Sequence, residues 1–133
     1  MSTNAIIAYK DFKGEYVCTY VHWDGCMDGV GKMLLNHYND ENKAWQITGV
    51  GYISALLPTI FETAKEARHE EKPRQLKTVW DFDSYLDEFC SIEYVYIYDE
   101  VKEKWFVKHI DHWSEYAPLN EFGLTAIENK EVA

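Results

Sequence analysis

Two segments of the chain alternate between faces with the period of a β-strand, and each is paired with a neighbour across a polar turn. Near the start, Ala5 to Tyr9 is a short run of β-favouring types, Lys10-Asp11-Phe12-Lys13-Gly14 reads as a turn, and Glu15 to Trp23 completes a hairpin. Along its second strand Tyr16, Cys18, Tyr20 and His22 share one face, while Val17, Thr19, Val21 and Trp23 share the other. Bulky residues on both sides predict at least partial cover on both. The clearest hairpin comes later: Tyr94-Val95-Tyr96-Ile97-Tyr98, a charged turn from Asp99 to Lys104, and Trp105 to Ile110.

Between the hairpins the apolar period lengthens to that of helices. Met33, Leu34 and Tyr38 predict a short amphipathic helix over Val30 to Tyr38, broken at Asn39-Asp40, and Glu41 to Ile47 adds a further helical segment stopped by Gly49 and Gly51. Tyr52 to Leu57 runs apolar into Pro58, which suits the first turn of a next helix. That helix would carry Ile60, Phe61, Ala64 and Ala67 inward and Glu62, Lys65, Glu66 and Arg68 outward. The charged stretch His69 to Gln75, with Pro73, reads as a mobile loop, and Asp83-Ser84 ahead of Tyr85, Leu86 and Phe89 reads as the cap of a short helix. From Ser114 onward, Pro118, Gly123 and a polar end predict irregular structure, with a loose tail over 124–133.

The order β-β-α-α-α-β-β predicts a single α+β domain over residues 1–133, with an antiparallel sheet of about four strands and helices packed on one face. At 47% apolar and 16% aromatic residues, the chain can fill the core of such a domain. Three cysteines, Cys18, Cys26 and Cys90, are odd in number and without paired spacing, which argues against a disulfide framework or a zinc knuckle and for a reducing, cytoplasmic setting. No signal peptide and no apolar stretch of about eighteen residues is legible. A net charge of −10 disfavours direct contact with nucleic acid or an anionic membrane and suits a partner with a basic surface.

Four segments carry a family resemblance: Tyr20-Val21-His22-Trp23-Asp24-Gly25; Gly31 with Leu34-Leu35 and His37-Tyr38; Gly51-Tyr52-Ile53-Ser54-Ala55-Leu56; and Glu93 to Tyr98 with Lys104-Trp105-Phe106-Val107. In this order they resemble a widespread, functionally uncharacterised family of small proteins encoded by bacteriophages, prophages and bacterial genomes. The resemblance covers most of the chain. It departs at Cys26-Met27, where relatives carry Tyr-Pro, and at Tyr52, where they carry an acid. A mobile-element setting implies a protein that interferes with a host machine.

The chemistry-bearing residues allow several readings. His22, Asp24, Asp28, His37 and Asp40, and separately His109, Asp111 and His112, are competent metal ligands, but neither group has a metalloprotease spacing. Cys26, ahead of a helix start, could serve as a nucleophile with His22 or His37 as base. The glycine-punctuated stretch with His22, Trp23, Asp24, Gly25, Gly29, Gly31, Lys32 and His37 could line a pocket for a nucleotide-like ligand, although it matches no phosphate-loop pattern. The structural alternative is a strand-to-helix turn in which Gly29 or Gly31 supplies a positive φ or a close backbone approach and Asp24 or Asp28 caps the helix. Finally, Asp81 to Glu103 holds eight acids (Asp81, Asp83, Asp87, Glu88, Glu93, Asp99, Glu100, Glu103) against one base, Lys102, an array that could mimic phosphates before a basic groove.

The expectation is therefore a non-catalytic, acidic protein without cofactor or metal, with homo-oligomerisation left open. It would bind and modulate a host protein, of the kind that handles nucleic acid in defence, through the acidic segment. A small-ligand module at the glycine loop is the alternative, and a metal-dependent hydrolase the weaker one.

Overall fold

Ala5, Ile6, Ile7, Ala8 and Tyr9 leave no polar side for water, and a strand of that composition belongs inside a sheet covered on both faces. In the computed structural model of the protein, which describes residues 3–65, 67–68, 71–89 and 91–119, β1 (Asn4–Lys10) holds that position, with these five residues all buried. After it come β2 (Tyr16–Val21), a π-helical turn over Met27–Gly31, α1 (Lys32–His37), α2 (Glu41–Thr48), β3 (Tyr52–Ile53) and α3 (Ile60–Lys65). The second half supplies β4 (Arg74–Leu76), α4 (Val79–Asp87), β5 (Ile92–Asp99), β6 (Lys104–His109) and β7 (Ala117–Pro118).

The mixed α and β content fits the expected class, but the sheet is larger and less uniform than expected. Among the described residues it has seven strands in the order β3-β2-β1-β5-β6-β7, with β4 also on β2. Both predicted hairpins form, β1 with β2 and β5 with β6, each antiparallel. They are joined through β1 and β5, which run parallel from Ala5 beside Tyr94 to Lys10 beside Asp99. β3 is parallel to β2 as well. The additional strands are two or three residues long, below the length at which alternation becomes a pattern, and the pairing of β1 with β5 depends on no local signal.

Helices cover both faces rather than one. On the first face Ala5, Ile7 and Tyr9 join Tyr94, Tyr96, Tyr98, Trp105 and Val107 beneath Val30, Leu34, Tyr38, Ala44 and Ile47. On the second, Ile6, Ala8, Val95 and Ile97 join Tyr16 and Cys18 beneath Phe82 and Tyr85 of α4. The Tyr16 and Phe82 rings stack at 4.3 Å between centroids. Complete apolar filling of β1 is what demands this second layer.

Several boundaries differ from expectation. α4 begins before Asp83: Thr78 is its cap, its Oγ accepting from the Asp81 amide at 3.1 Å while its hydroxyl donates to the Asp81 carboxylate at 3.0 Å. Phe61, expected inward on α3, is 67% exposed, and Thr63 takes the buried position, bonded to Leu57 and Tyr38. The expected loop 69–75 gives way at Arg74 to β4, and the region after Ser114 includes β7, with the Leu119 amide donating to the Trp105 carbonyl at 2.8 Å. The expected tail 124–133, Glu66, His69, Cys90 and Gly123 lie outside the described residues.

Candidate functional site

The glycine stretch folds into a packed turn. At Gly25 the chain passes so close to β1 that a Cβ would meet the Thr3 carbonyl at 2.7 Å and the Ala5 methyl at 2.8 Å. The Gly25 amide donates to Thr3 (2.8 Å), and the buried Tyr96 hydroxyl donates to the Gly25 carbonyl (2.7 Å). Gly29 lies against the Asp24 backbone, and the Val30 amide donates to the Asp24 carbonyl at 2.8 Å. The close approach expected of Gly29 is thus present, whereas the positive φ belongs to Asp24 (57°), a residue type that tolerates it. Neither aspartate caps by its side chain: Cys26 is the cap position and makes no side-chain bond, while Asp28 faces Lys32 in an exposed ion pair at 3.3 Å.

This packing separates the residues expected to line one pocket. Trp23, Asp24, Gly29, Lys32 and His37 border a small cavity of about 180 Å³, Gly25 and Gly31 are buried in the turn, and His22, its ring against that of Trp23, lines a different cavity. Cys26 packs against the first-face core. Among the described residues no group of three or more His, Cys, Asp or Glu side chains could hold a metal ion. The His109 and His112 rings lie 4.4 Å apart, but the His109 Nδ1 accepts from the Asp111 amide at 3.2 Å.

The acidic residues also separate. Glu100 is structural, accepting from the Phe12 amide at 2.7 Å and the Tyr9 hydroxyl at 2.9 Å. Asp99 accepts from the amides of Val101 and Lys102 and shapes the β5–β6 turn, in which Glu103 takes a positive φ of 56°. Glu93 is half-buried on β5. Lys10 and Lys102 share a depression with Asp99 and Val79, so the surface between the turn and α4 is not purely acidic. Asp81 serves the α4 cap, and Glu88 meets Arg74 at 3.5 Å.

What α4 does present is one outward line. Trp80, Asp83, Ser84 and Asp87 are spaced as neighbours on a single helical face, and all are exposed while Phe82 and Tyr85 point to the core. Trp80 is 77% exposed. Other exposed aromatics have a ring or cation against them: Tyr9 on Trp45, Lys65 on Phe61, Lys13 on Phe12 and His22 on Trp23. Among the described residues Trp80 has neither. A helix expected to start at Asp83 leaves this tryptophan outside; the Thr78-x-x-Asp81 spacing was the available signal.

A second region was not anticipated as a unit. Tyr20 and His22 on the second face meet Tyr52 of β3 and Phe89 after α4 around a cleft of about 420 Å³. Tyr20 stacks on Phe89 with 5.7 Å between centroids and lies 5.0 Å from Tyr52. Burial raises the Tyr20 hydroxyl above its ordinary value, Tyr52 adds to this and the Arg68 guanidinium opposes it; burial also raises Tyr85. Both phenols are therefore protonated donors at neutral pH. No helix among the described residues is long and apolar enough to cross a membrane. No family model matches the chain, and no curated protein or solved structure matches it either.

Proposed function

We propose that the protein is a non-catalytic binding protein that docks on a basic surface of a partner protein through the outer face of α4. Trp80 supplies the anchor, entering an apolar recess of the partner, while Asp83 and Asp87 meet arginine or lysine side chains around it. The observation that carries this reading is the 77% exposure of Trp80 in line with those two acids. An unpartnered tryptophan costs solvation in the isolated protein and is the residue type most enriched at interface hot spots. The overall charge of −10 adds long-range attraction to a basic partner. The resemblance to phage-encoded proteins supports a host protein as that partner, of the class that binds nucleic acid, whose phosphate-binding groove the aspartates would occupy.

The test is affinity capture from host extract with the wild-type protein, Trp80→Ala and the double reversal Asp83→Lys/Asp87→Lys. The reading requires one basic protein that is retained by wild type at low salt, released as salt rises, and lost with either variant. Trp80→Ala should weaken the purified pair by about 2 kcal/mol or more. Equal capture by all three proteins would remove α4 as the docking surface.

A further inference from the structure

The chain contains two arginines: Arg74 lines the aromatic cleft on the second face of the sheet, and Arg68 stacks on Tyr52, one of the cleft's walls. The Arg68 guanidinium lies 4.5 Å from the centre of the Tyr52 ring, and that of Arg74 lies 5.2 Å from Tyr85. Lys72 lines the same cleft. In a protein with ten more acids than bases, gathering both planar cations at one concavity is not explained by solubility. Nor is it explained by stability. The ion pair found there among the described residues, Arg74 to Glu88 at 3.5 Å, is more than half exposed on both sides, and a pair so exposed to solvent adds little to stability.

The cleft is of a size that holds a small molecule. Its wall is aromatic, made by Tyr20, His22 and Tyr52, with the Tyr20 and Tyr52 rings tilted 38° to each other, and the Tyr20 hydroxyl and His22 Nδ1 sit 3.2 Å apart as a polar edge on that wall. Its rim carries the Arg74 guanidinium, whose fork geometry fits phosphate oxygens in pairs. We propose that this cleft binds a nucleoside monophosphate, with the base lying on the Tyr20–Tyr52 wall and the phosphate held by Arg74 and Lys72. Arg68, stacked on Tyr52 at 4.5 Å, holds that ring in place as part of the wall. A phosphate displaces the Glu88 carboxylate from Arg74 at little cost, because that pair is solvent-screened. Glu71 and Glu88 on the same rim oppose Lys72 and Arg74, which limits the negative charge the site accepts and favours one phosphate over three. The site is separate from the outer face of α4, and its occupancy does not depend on the docking role of Trp80.

Isothermal titration with the 5′-monophosphates of adenosine, guanosine, cytidine and uridine tests this. The parent nucleosides, the 5′-triphosphates and inorganic phosphate serve as comparisons. Saturable binding of at least one monophosphate is expected, with a dissociation constant about tenfold or more below those of its nucleoside, its triphosphate and inorganic phosphate. Arg74→Gln and Tyr52→Ala should each raise it about tenfold; Lys72→Gln replaces the first variant if that protein loses its cooperative melting transition. The proposal is overturned if no monophosphate binds saturably, if phosphate alone binds as well, or if either variant binds with wild-type affinity.

Discussion

The two faces of the central sheet are covered to different degrees. Over the first, the π-helical turn, α1 and α2 pack together, and Trp105, Tyr96, Tyr38 and Leu34 are buried there. Its polar groups are paired within the fold: the Trp105 indole donates to the Tyr38 carbonyl at 3.0 Å, and the Tyr38 hydroxyl to Leu57 at 2.5 Å. Over the second face α4 is the main cover, and it protects Tyr16 and Cys18 but leaves aromatic rings accessible at the far end of β2. The accessible tryptophan of α4 and both arginines belong to this thinner side. Most of the largest fully buried side chains lie under the closed face, and the open face keeps side chains accessible.

Three measurements test that contrast. Trp105→Ala removes the largest fully buried side chain of the first face and should lower unfolding free energy by about 3–5 kcal/mol in urea titrations. A loss below about 1 kcal/mol would mean that the first face is not where stability resides. The second concerns Cys18, whose thiol burial pushes up from 9.0 to about 12, with Arg74 partly offsetting it. Because folding raises this pKa, its contribution is whole below pH 9.0 and is lost as pH climbs toward 12. Between pH 9 and 10 the wild-type protein should lose about 1 kcal/mol that Cys18→Ala does not lose, and parallel pH profiles would contradict its burial beneath α4. The smallest effect is expected from Trp80→Ala, a change within about 0.5 kcal/mol in the same titrations. A larger loss would make Trp80 a structural residue of the second face.

Legibility from sequence followed the range of the interactions. Both hairpins could be read because turn and strands are contiguous, and the faces of β2 because alternation over Tyr16 to Val21 is long enough to count. The helical character of Glu41 to Ile47 was also legible; α2 runs Glu41–Thr48, and Asp40, read there only as a break, is its cap. Parallel pairing of β1 with β5 was not, since nothing near Ala5 signals a partner at Tyr94. The glycine stretch was read as either a turn or a pocket because close backbone approach and ligand approach call for the same residue; contact with Thr3 and Ala5 decides it for Gly25. The cleft was illegible because Tyr20, Tyr52, Arg74 and Phe89 come from four separate segments, none of which carries a motif.

The parallel bond between β1 and β5 also sets a schedule for synthesis. The first hairpin is complete once Val21 has emerged, yet the strand that covers its inner edge begins only at Ile92. At ordinary translation rates that interval is on the order of ten seconds or less. Throughout it the N–H and C=O groups of Ala5 to Tyr9 that do not pair with β2 face outward on an apolar strand, open to any strand that arrives sooner, including the same segment on a neighbouring ribosome.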